Sequence, residues 1–375
     1  MEPALYGTRG IEVVRGEGEF LWDSEGRRYL DFLAGHGAAL FGHAHPRLTE
    51  VLKRSSETFW TIGGSLQAPS RRILLEKLEE EFPGYACFLC NSGAEAVEGA
   101  LKLVLALRPG RPRLLALRRS FHGRTLGALG LTFNPRYRRP WQSALLEVEH
   151  LEPEELLNSL EKNVAGVFVE LLQGEGGLDA LDPEFCGELR RRCTETGTLL
   201  GVDEIQTGWG RCGALSLARA WKADPDILCF AKGIAGGLPA GLTLWKKNLG
   251  GFPPRGHGST YGGNPLISSV ALEVLALLEE ELLEQIPEKE ARFRKALEGV
   301  ASPLVRRLRG KGLLQGVELT IPAGPVVKEL QEEGVLSLVS GTQVVRFLPP
   351  LVTREESFDM AAEALEKVLS RQRGA

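Results

Sequence analysis

Little in this 375-residue chain would place it on a membrane or on nucleic acid. No apolar run approaches the ~20 residues that cross a bilayer. The opening residues, MEPALYGTRG, carry no apolar signal core, so the expected location is the cytoplasm. A formal charge of −4 gives no overall attraction to a polyanion, and neither nucleic acid nor membrane is expected as a partner. Internal repeats and low-complexity segments are absent. Six cysteines are scattered, as Cys87, Cys90, Cys186, Cys193, Cys212 and Cys229. Only the first two have C-x-x-C spacing, with Phe88 and Leu89 between them and no second pair nearby, which reads as core thiols in a strand. His36, His43 and His45 share a glycine-rich loop but not ligand spacing, and Asp31 is the only acid close by, so no metal is expected. What remains is 43% apolar and 25% charged, a globular composition with enough chain for a large core and two domains.

The stretch from Leu199 to Gly237 organises the rest. An aliphatic run ends abruptly in Asp203 and Glu204 (LLGVDEIQTGWGR), and the next run, Ile227 to Ala231, ends in Lys232 before a series of glycines. Such runs read as buried strands whose carboxyl ends carry the ligand groups of an open α/β sheet. Two strands that each deliver one charge to the same edge set an anion opposite a reactive amine. Pyridoxal-phosphate enzymes need that pair: a lysine for the Schiff base and a carboxylate that keeps the pyridine nitrogen protonated. The alternatives for such residues are a cap or turn aspartate and a solvated loop lysine.

Other stretches bear on that choice. Residues 11 to 33 alternate as a small N-terminal sheet, and 47–59 and 69–82 have a helical period. ACFLCNSGAEAVEGALKLVLAL is a strand that passes through Asn91, Ser92 and Gly93 into a helix, which is a phosphate cradle at a helix N-terminus. After the strand in RLLALRR, Phe121 can lie on a heterocycle and Arg124 can hold a carboxylate through two parallel hydrogen bonds. VAGVFVELL is another strand, followed by QGEGG with Glu175. GHGSTYGGNP offers the hydroxyls of Ser259 and Thr260 to anionic oxygens, Ser259 as a candidate for binding substrate and Thr260 for phosphate. Pro287 is expected to kink or break a helical stretch over 266–298. Strands are expected over 312–320 and 343–348, and a terminal helix over 355–369. The centre thus alternates strand and helix as a parallel sheet, and both ends supply a smaller α+β unit.

Taken in order, NSGAEA, FHGRT, QGEGG, DEIQTGWGR, the lysine of AKG, HGSTYGGNP and VVRFLPPL resemble the class III (subgroup II) pyridoxal-phosphate aminotransferases over nearly the whole chain. The resemblance implies an α/β fold of fold-type I. It comprises a large, mostly parallel sheet domain flanked by helices (46–262) and a smaller α+β domain made from residues 1–45 and 263–375. It also implies the roles of residues. Lys232 is the Schiff-base lysine and proton shuttle, and Asp203 the partner of the pyridine nitrogen. Gln206 bonds the phenolic oxygen, and Ser92, Gly93 and Ala94 bind phosphate. Phe121 stacks on the ring beside His122, and Thr260, next to Ser259, reaches the phosphate of a neighbouring subunit in a homodimer with shared active sites. The sequence departs from the family pattern at Leu171 and Cys212, neither of which performs chemistry.

Within that family the motifs are most similar to the acetylornithine branch and to enzymes acting on lysine or ornithine attached to an acidic amino-group carrier protein. There Arg124 holds a substrate carboxylate, Arg346 takes the α-carboxylate of glutamate, and Glu175 pairs with Arg346 while the ω-amine donor is bound. The implied reaction is ping-pong transfer of the terminal amine of α-N-blocked lysine or ornithine to 2-oxoglutarate, the block preventing cyclisation of the semialdehyde. A carrier would require a basic rim, for which Arg118, Arg119, Arg136, Arg138 and Arg139 are candidates. The alternatives are transamination of 4-aminobutyrate or free ornithine, an aminomutase, and a non-catalytic protein that keeps the fold.

Overall fold

A strand such as Val164–Val169, apolar and buried at all six positions, has two faces to cover, and a parallel sheet between helical layers covers both. The computed structural model describes residues 7–372. Among these the strands are β1 (Val13–Glu17), β2 (Phe20–Asp23), β3 (Arg28–Asp31), β4 (Tyr85–Cys90), β5 (Arg113–Leu117), β6 (Glu149–Leu151), β7 (Val164–Val169), β8 (Leu199–Asp203), β9 (Ile227–Ala231), β10 (Gly241–Lys246), β11 (Val305–Lys311), β12 (Leu314–Leu319), β13 (Val335–Leu336), β14 (Leu338–Ser340) and β15 (Val344–Phe347). The central sheet has the order β4-β10-β9-β8-β7-β5-β6. β10 runs antiparallel to both its neighbours, and β9, β8, β7, β5 and β6 pair parallel. The carboxyl ends of β4, β5, β7, β8 and β9 therefore share one edge.

Two smaller sheets join distant parts of the chain. In β1-β2-β3-β13 the last strand comes from the C-terminal third and pairs parallel with β3, Val335 opposite Leu30. The other, β11-β12-β15-β14, is antiparallel. Between them Phe32 meets Phe293, Phe347 and Phe358 at ring-centroid distances of 5.6, 6.3 and 6.2 Å, and Phe293 stacks on Phe358 at 4.7 Å. All four rings are fully buried. One aromatic cluster thus holds the N-terminal strands to the C-terminal helices.

The stretch over 266–298 differs from its expectation. Helix Pro265–Leu277 passes through a π-turn, Leu278–Leu282, into helix Leu283–Glu298, which keeps Pro287 inside it. A proline ring clashes with the carbonyl four residues before it. Here that carbonyl belongs to Leu283, directly after the wide turn, and the irregularity precedes the proline instead of breaking the helix at it. The scattered cysteines are all free, and all but Cys87 are buried. β11, β13 and β14 lie outside the strands expected from periodicity, because β11 (VRRLRGK) is rich in charge and the other two are very short.

The aromatic cluster yields a stability test. Phe293→Ala should reduce the unfolding free energy by about 3–5 kcal/mol, the usual loss for a buried aromatic truncation, measured by guanidinium titration. A loss below about 1 kcal/mol would mean that the cluster closes around the cavity and does not hold the two ends together.

Candidate functional site

Each strand end on the shared edge contributes one kind of group. β4 ends at Cys90, and Ser92 caps the following helix, Gly93–Leu107, its Oγ accepting from Glu95 N at 3.2 Å. The N–H groups of Gly93 and Ala94, first in the helix, have no helical carbonyl to meet and sit at the positive end of its dipole. Both residues line a cavity of about 410 Å³. Gly93 packs closely on Ile205: a Cβ there would lie 2.7 Å from Ile205 Cδ1 and would require that side chain to shift. Asn91 Nδ2 bonds Glu95 Oε2 and Ser259 Oγ, each at 3.0 Å.

β8 delivers Asp203, only 5% exposed. Its Oδ2 lies 2.8 Å from His122 Nδ1, and its Oδ1 accepts from Ile205 N at 3.0 Å. Burial alone would push the His122 imidazolium to lose its proton. The hydrogen bond and charge of Asp203, helped by Glu170, outweigh that and raise its pKa. His122 lines the cavity and at the same time orients Asp203.

β9 delivers Lys232 on a strained backbone, with φ at +52°. Burial, and secondarily the positive charge of Arg346, lower its amine to about 8 from an ordinary value near 10.5, against the pull of Asp203, Glu170 and Glu175. β7 leads into Glu170, a buried carboxylate that accepts from Phe121 N at 2.8 Å and Gly174 N at 3.3 Å. Burial raises its pKa. Glu170 thereby ties the backbone of Phe121 to the loop that carries Glu175.

The arginines occupy different environments. Arg124 is exposed at the cavity, its guanidinium 3.3 Å above the Tyr137 ring centroid and 5.8 Å from that of Phe121. Tyr137 OH in turn lies 3.4 Å from Glu175 Oε2. Arg346 is 3% exposed and donates to Gly174 O and, at 3.2 Å, to Gln206 Oε1. Gln206 Nε2 donates to His36 O at 3.0 Å. A Cβ on Gly174 would meet Gln206 Oε1 at 2.4 Å and displace the amide from Arg346. Burial lowers the Arg346 pKa although Glu175 and Glu170 oppose it. Among the described residues no ion pair joins Arg346 to Glu175; the acid rests on Tyr137.

The structure thus brings Ser92, Gly93, Ala94, Phe121, His122, Arg124, Glu175, Asp203, Gln206 and Lys232 to one cavity, with Arg346 behind its wall. Ser259 and Thr260 instead line a separate hollow beyond Asn91, and do not reach the cavity within this chain. The three loop histidines diverge: His36 meets Gln206 through its carbonyl, His43 Nε2 lies 2.8 Å from Asp31 Oδ2, and His45 starts a helix. No group of three or more metal-ligating side chains is found among the described residues. Of the rim candidates, Arg138 turns inward to His150 Nδ1 at 3.1 Å. Sequence reasoning missed Glu170 and Tyr137 as site residues. An acid inside the apolar run VAGVFVELL was the available signal for the first; Tyr137 lies outside every motif.

Taken together, the donor set fits a flat, anionic, aldehyde-bearing cofactor: free N–H groups for a phosphate, an aromatic face, a buried carboxylate for a ring nitrogen and an amine of lowered pKa. The comparisons agree with this reading. Residues 5–369 match the family model for aminotransferase class-III. A LysW-aminoadipate semialdehyde/glutamate semialdehyde transaminase of Sulfolobus acidocaldarius is 38% identical over 97% of this chain and 96% of its own. An acetylornithine aminotransferase of Thermosynechococcus vestitus is 37% identical over 98% and 94%. Among solved structures, the ornithine aminotransferase of Toxoplasma gondii, with pyridoxal phosphate at partial occupancy, superposes with a TM-score of 0.90 at 31% identity, over 99% and 93% of the two chains.

The lowered amine gives a pH test. A lysine attacks only when neutral, so trinitrophenylation of Lys232 in the ligand-free chain should rise with pH through a midpoint near 8. Arg346→Met removes a cation and should move that midpoint upward. A native midpoint at or above about 10, the value of a free lysine, would show that the amine is not held in this environment.

Proposed function

The chain belongs to the class-III aminotransferases, enzymes that work with pyridoxal 5'-phosphate. From that premise we propose that it moves the terminal amine of an α-N-blocked lysine or ornithine, N-acetylated or carrier-linked, to 2-oxoglutarate by a ping-pong route. The relatives named as a LysW-aminoadipate semialdehyde/glutamate semialdehyde transaminase and an acetylornithine aminotransferase support the substrate class, and we place the reaction in lysine or arginine biosynthesis, with the cytoplasm as the proposed location. No helix among the described residues is long and apolar enough to cross a membrane.

Gly93, Ala94 and Ser92 would hold the cofactor's phosphate, Phe121 its ring face, Asp203 its pyridine nitrogen, and Lys232 its aldehyde carbon. Gln206 has a second amide hydrogen left for the phenolic oxygen after its bond to His36 O. When bound, the cofactor supplies an electron-accepting ring and a carbon that stores the amino group between the two substrates. Every other task falls to the chain. Asp203, buried and fixed by His122, holds negative charge where a protonated ring nitrogen needs it. Lys232, its pKa lowered to about 8, accepts and returns a proton at Nζ near neutral pH. We assign the phosphate contact of Thr260 to a neighbouring copy in a homodimer, since within this chain it lies outside the cavity.

The observation that carries the substrate reading is that Arg124, Glu175 and Lys232 line one cavity while Arg346 is buried directly behind the Glu175 loop. One cation stands open to a substrate carboxylate. The other is covered by Gly174 O and Gln206, and a dicarboxylate can draw it out while the ω-amine donor leaves it covered. That division suits a site that must accept glutamate and a longer blocked diamine in turn.

Single-turnover loss of the cofactor's visible absorbance tests the proposal, with glutamate, acetylornithine, acetyllysine and 4-aminobutyrate added separately. Glutamate and an α-blocked diamine should each discharge the absorbance, and their rates should rank chain length. Arg346→Ala should slow glutamate by roughly 30-fold, about 2 kcal/mol for one charge-assisted contact, with a smaller effect on the blocked diamine. Discharge by 4-aminobutyrate and glutamate alone would sink the biosynthetic reading and leave the class intact.

A further inference from the structure

Two unlike charges share the catalytic cavity without meeting. Arg124 is exposed and Glu175 half-buried, both line the cavity, and no ion pair joins them among the described residues. Unlike charges attract more strongly in a partly dry cavity than in water, so their separation needs a cause. Tyr137 touches both. The Arg124 guanidinium lies 3.3 Å above its ring centroid, and its hydroxyl lies 3.4 Å from Glu175 Oε2.

The fold holds that ring from several sides. Tyr137 belongs to the short helix Pro135–Arg138, where the Asn134 side chain accepts from Arg136 N at 3.0 Å and Asn134 O accepts from Tyr137 N at 3.1 Å. The next residue, Arg138, is turned inward to His150 Nδ1. Phe121, whose own backbone N–H is held by Glu170, meets the Tyr137 ring edge to face at 6.1 Å and 85°. The phenol also keeps its proton. Burial, and then the charge of Glu175, raise its pKa against the pull of Arg124. A protonated hydroxyl can donate to a carboxylate while the π face seats a cation, so one side chain offers each charge a neutral partner.

We propose that Tyr137 is a positioning residue for substrate binding: by seating Arg124 on its ring and holding Glu175 through its hydroxyl, it keeps the two from neutralising each other and leaves Arg124 open to a substrate carboxylate. This rests on Arg124 as the open carboxylate reader described above, and adds the residue that keeps it open. The other cation beside the Glu175 loop, Arg346, already donates to Gly174 O and Gln206 Oε1. Without the hydroxyl, Glu175 has Arg124 next to it on the same ring, and that internal pair competes with an incoming carboxylate.

Hexanoate and hexanamide test the separation. They differ only in the charged group, and neither has an α-nitrogen or a reacting amine, so the comparison depends on no blocked donor and no turnover. Their dissociation constants with the holoenzyme can be read by calorimetry. The native enzyme should prefer hexanoate by about tenfold, the scale of one charge-assisted contact, and Arg124→Gln should bring the ratio of the two constants near one. Tyr137→Phe keeps the ring and removes the hydroxyl. It should cut the preference by about fivefold, the scale of a competing half-exposed ion pair. Adding Glu175→Gln to Tyr137→Phe should restore the preference, whereas Glu175→Gln alone should change it by less than about twofold, because there the hydroxyl already holds that acid. A tyrosine that only supports the fold would weaken both ligands together, and removing a carboxylate would not rescue it. A native ratio near one, a preference that survives Arg124→Gln or is unmoved by Tyr137→Phe, or no rescue by Glu175→Gln would overturn the proposal. Failure of the α-blocked reading shows separately, as absence of single turnover with acetylornithine and acetyllysine while the hexanoate preference stands.

Discussion

An amine and a carboxylate delivered by adjacent parallel strands set the terms for the rest of this molecule. β8 and β9 lie side by side, with Asp203 opposite Cys229 and Lys232 three residues further on, so the sheet spacing of about 4.8 Å fixes the lateral offset between the two chain segments. A charge held at such an edge is expensive to desolvate unless neighbours compensate it. His122 satisfies one oxygen of Asp203, and Ile205 N the other. Around Lys232 the charges of Asp203, Glu170 and Glu175 oppose those of burial and Arg346, leaving an amine that changes protonation near neutrality. The left-handed backbone at Lys232 persists because β9 and β10 are laddered through Ala231 and Gly241 directly beside it.

This dependence explains why two small sheets accompany the large one. Arg346 sits on β15, whose partners β12 and β14 are both C-terminal, while Gly37, beside Gln206, follows the N-terminal strand β3. Both ends of the chain must reach the same edge of the central sheet, and the cluster of Phe32, Phe293, Phe347 and Phe358 holds them there. Buried Arg211 makes a related tie, donating to Leu313 O and Pro349 O from within the motif that follows Asp203. It has no acid partner among the described residues, and burial lowers its pKa to about 10.

Much of this was legible in the residues, for reasons that also explain the omissions. β7, β8 and β9 are continuous aliphatic runs, and a run buried on both faces is the strongest strand signal a sequence carries. Asp203 and Lys232 stood out because each ends such a run. Glu170 did too, but the aliphatic residues Leu171 and Leu172 that follow it made the run seem to continue, and only its bonds to Phe121 N and Gly174 N show it as a junction. β11 was illegible because its arginines are there to meet Glu318 and Asp179 across strands, and charge density hides a strand from any hydrophobic count. Tyr137 was illegible for a different reason: its partners, Arg124 and Glu175, are 13 residues before and 38 residues after it, and only folding brings them together. Pro287 misled in the opposite direction, since its rule is local and the π-turn that accommodates it depends on how the long helix packs.

Glu175 stands at the one point where all these constraints meet. Its loop is anchored by Glu170 and by Ser340, whose Oγ donates to Gly174 O at 2.8 Å and accepts from Gly177 N at 2.9 Å. The backbone is therefore fixed on both sides of the Glu175 side chain. In this state it chooses the Tyr137 hydroxyl, a neutral donor, and leaves Arg346 to carbonyl and amide oxygens. The loop thus holds one carboxylate in the same cavity as Arg124 and near the buried Arg346, with no ion pair to either among the described residues. Asp203 and Lys232 are fixed by the strands that end at them, while Glu175 and Arg124 stand on the loops around the cavity.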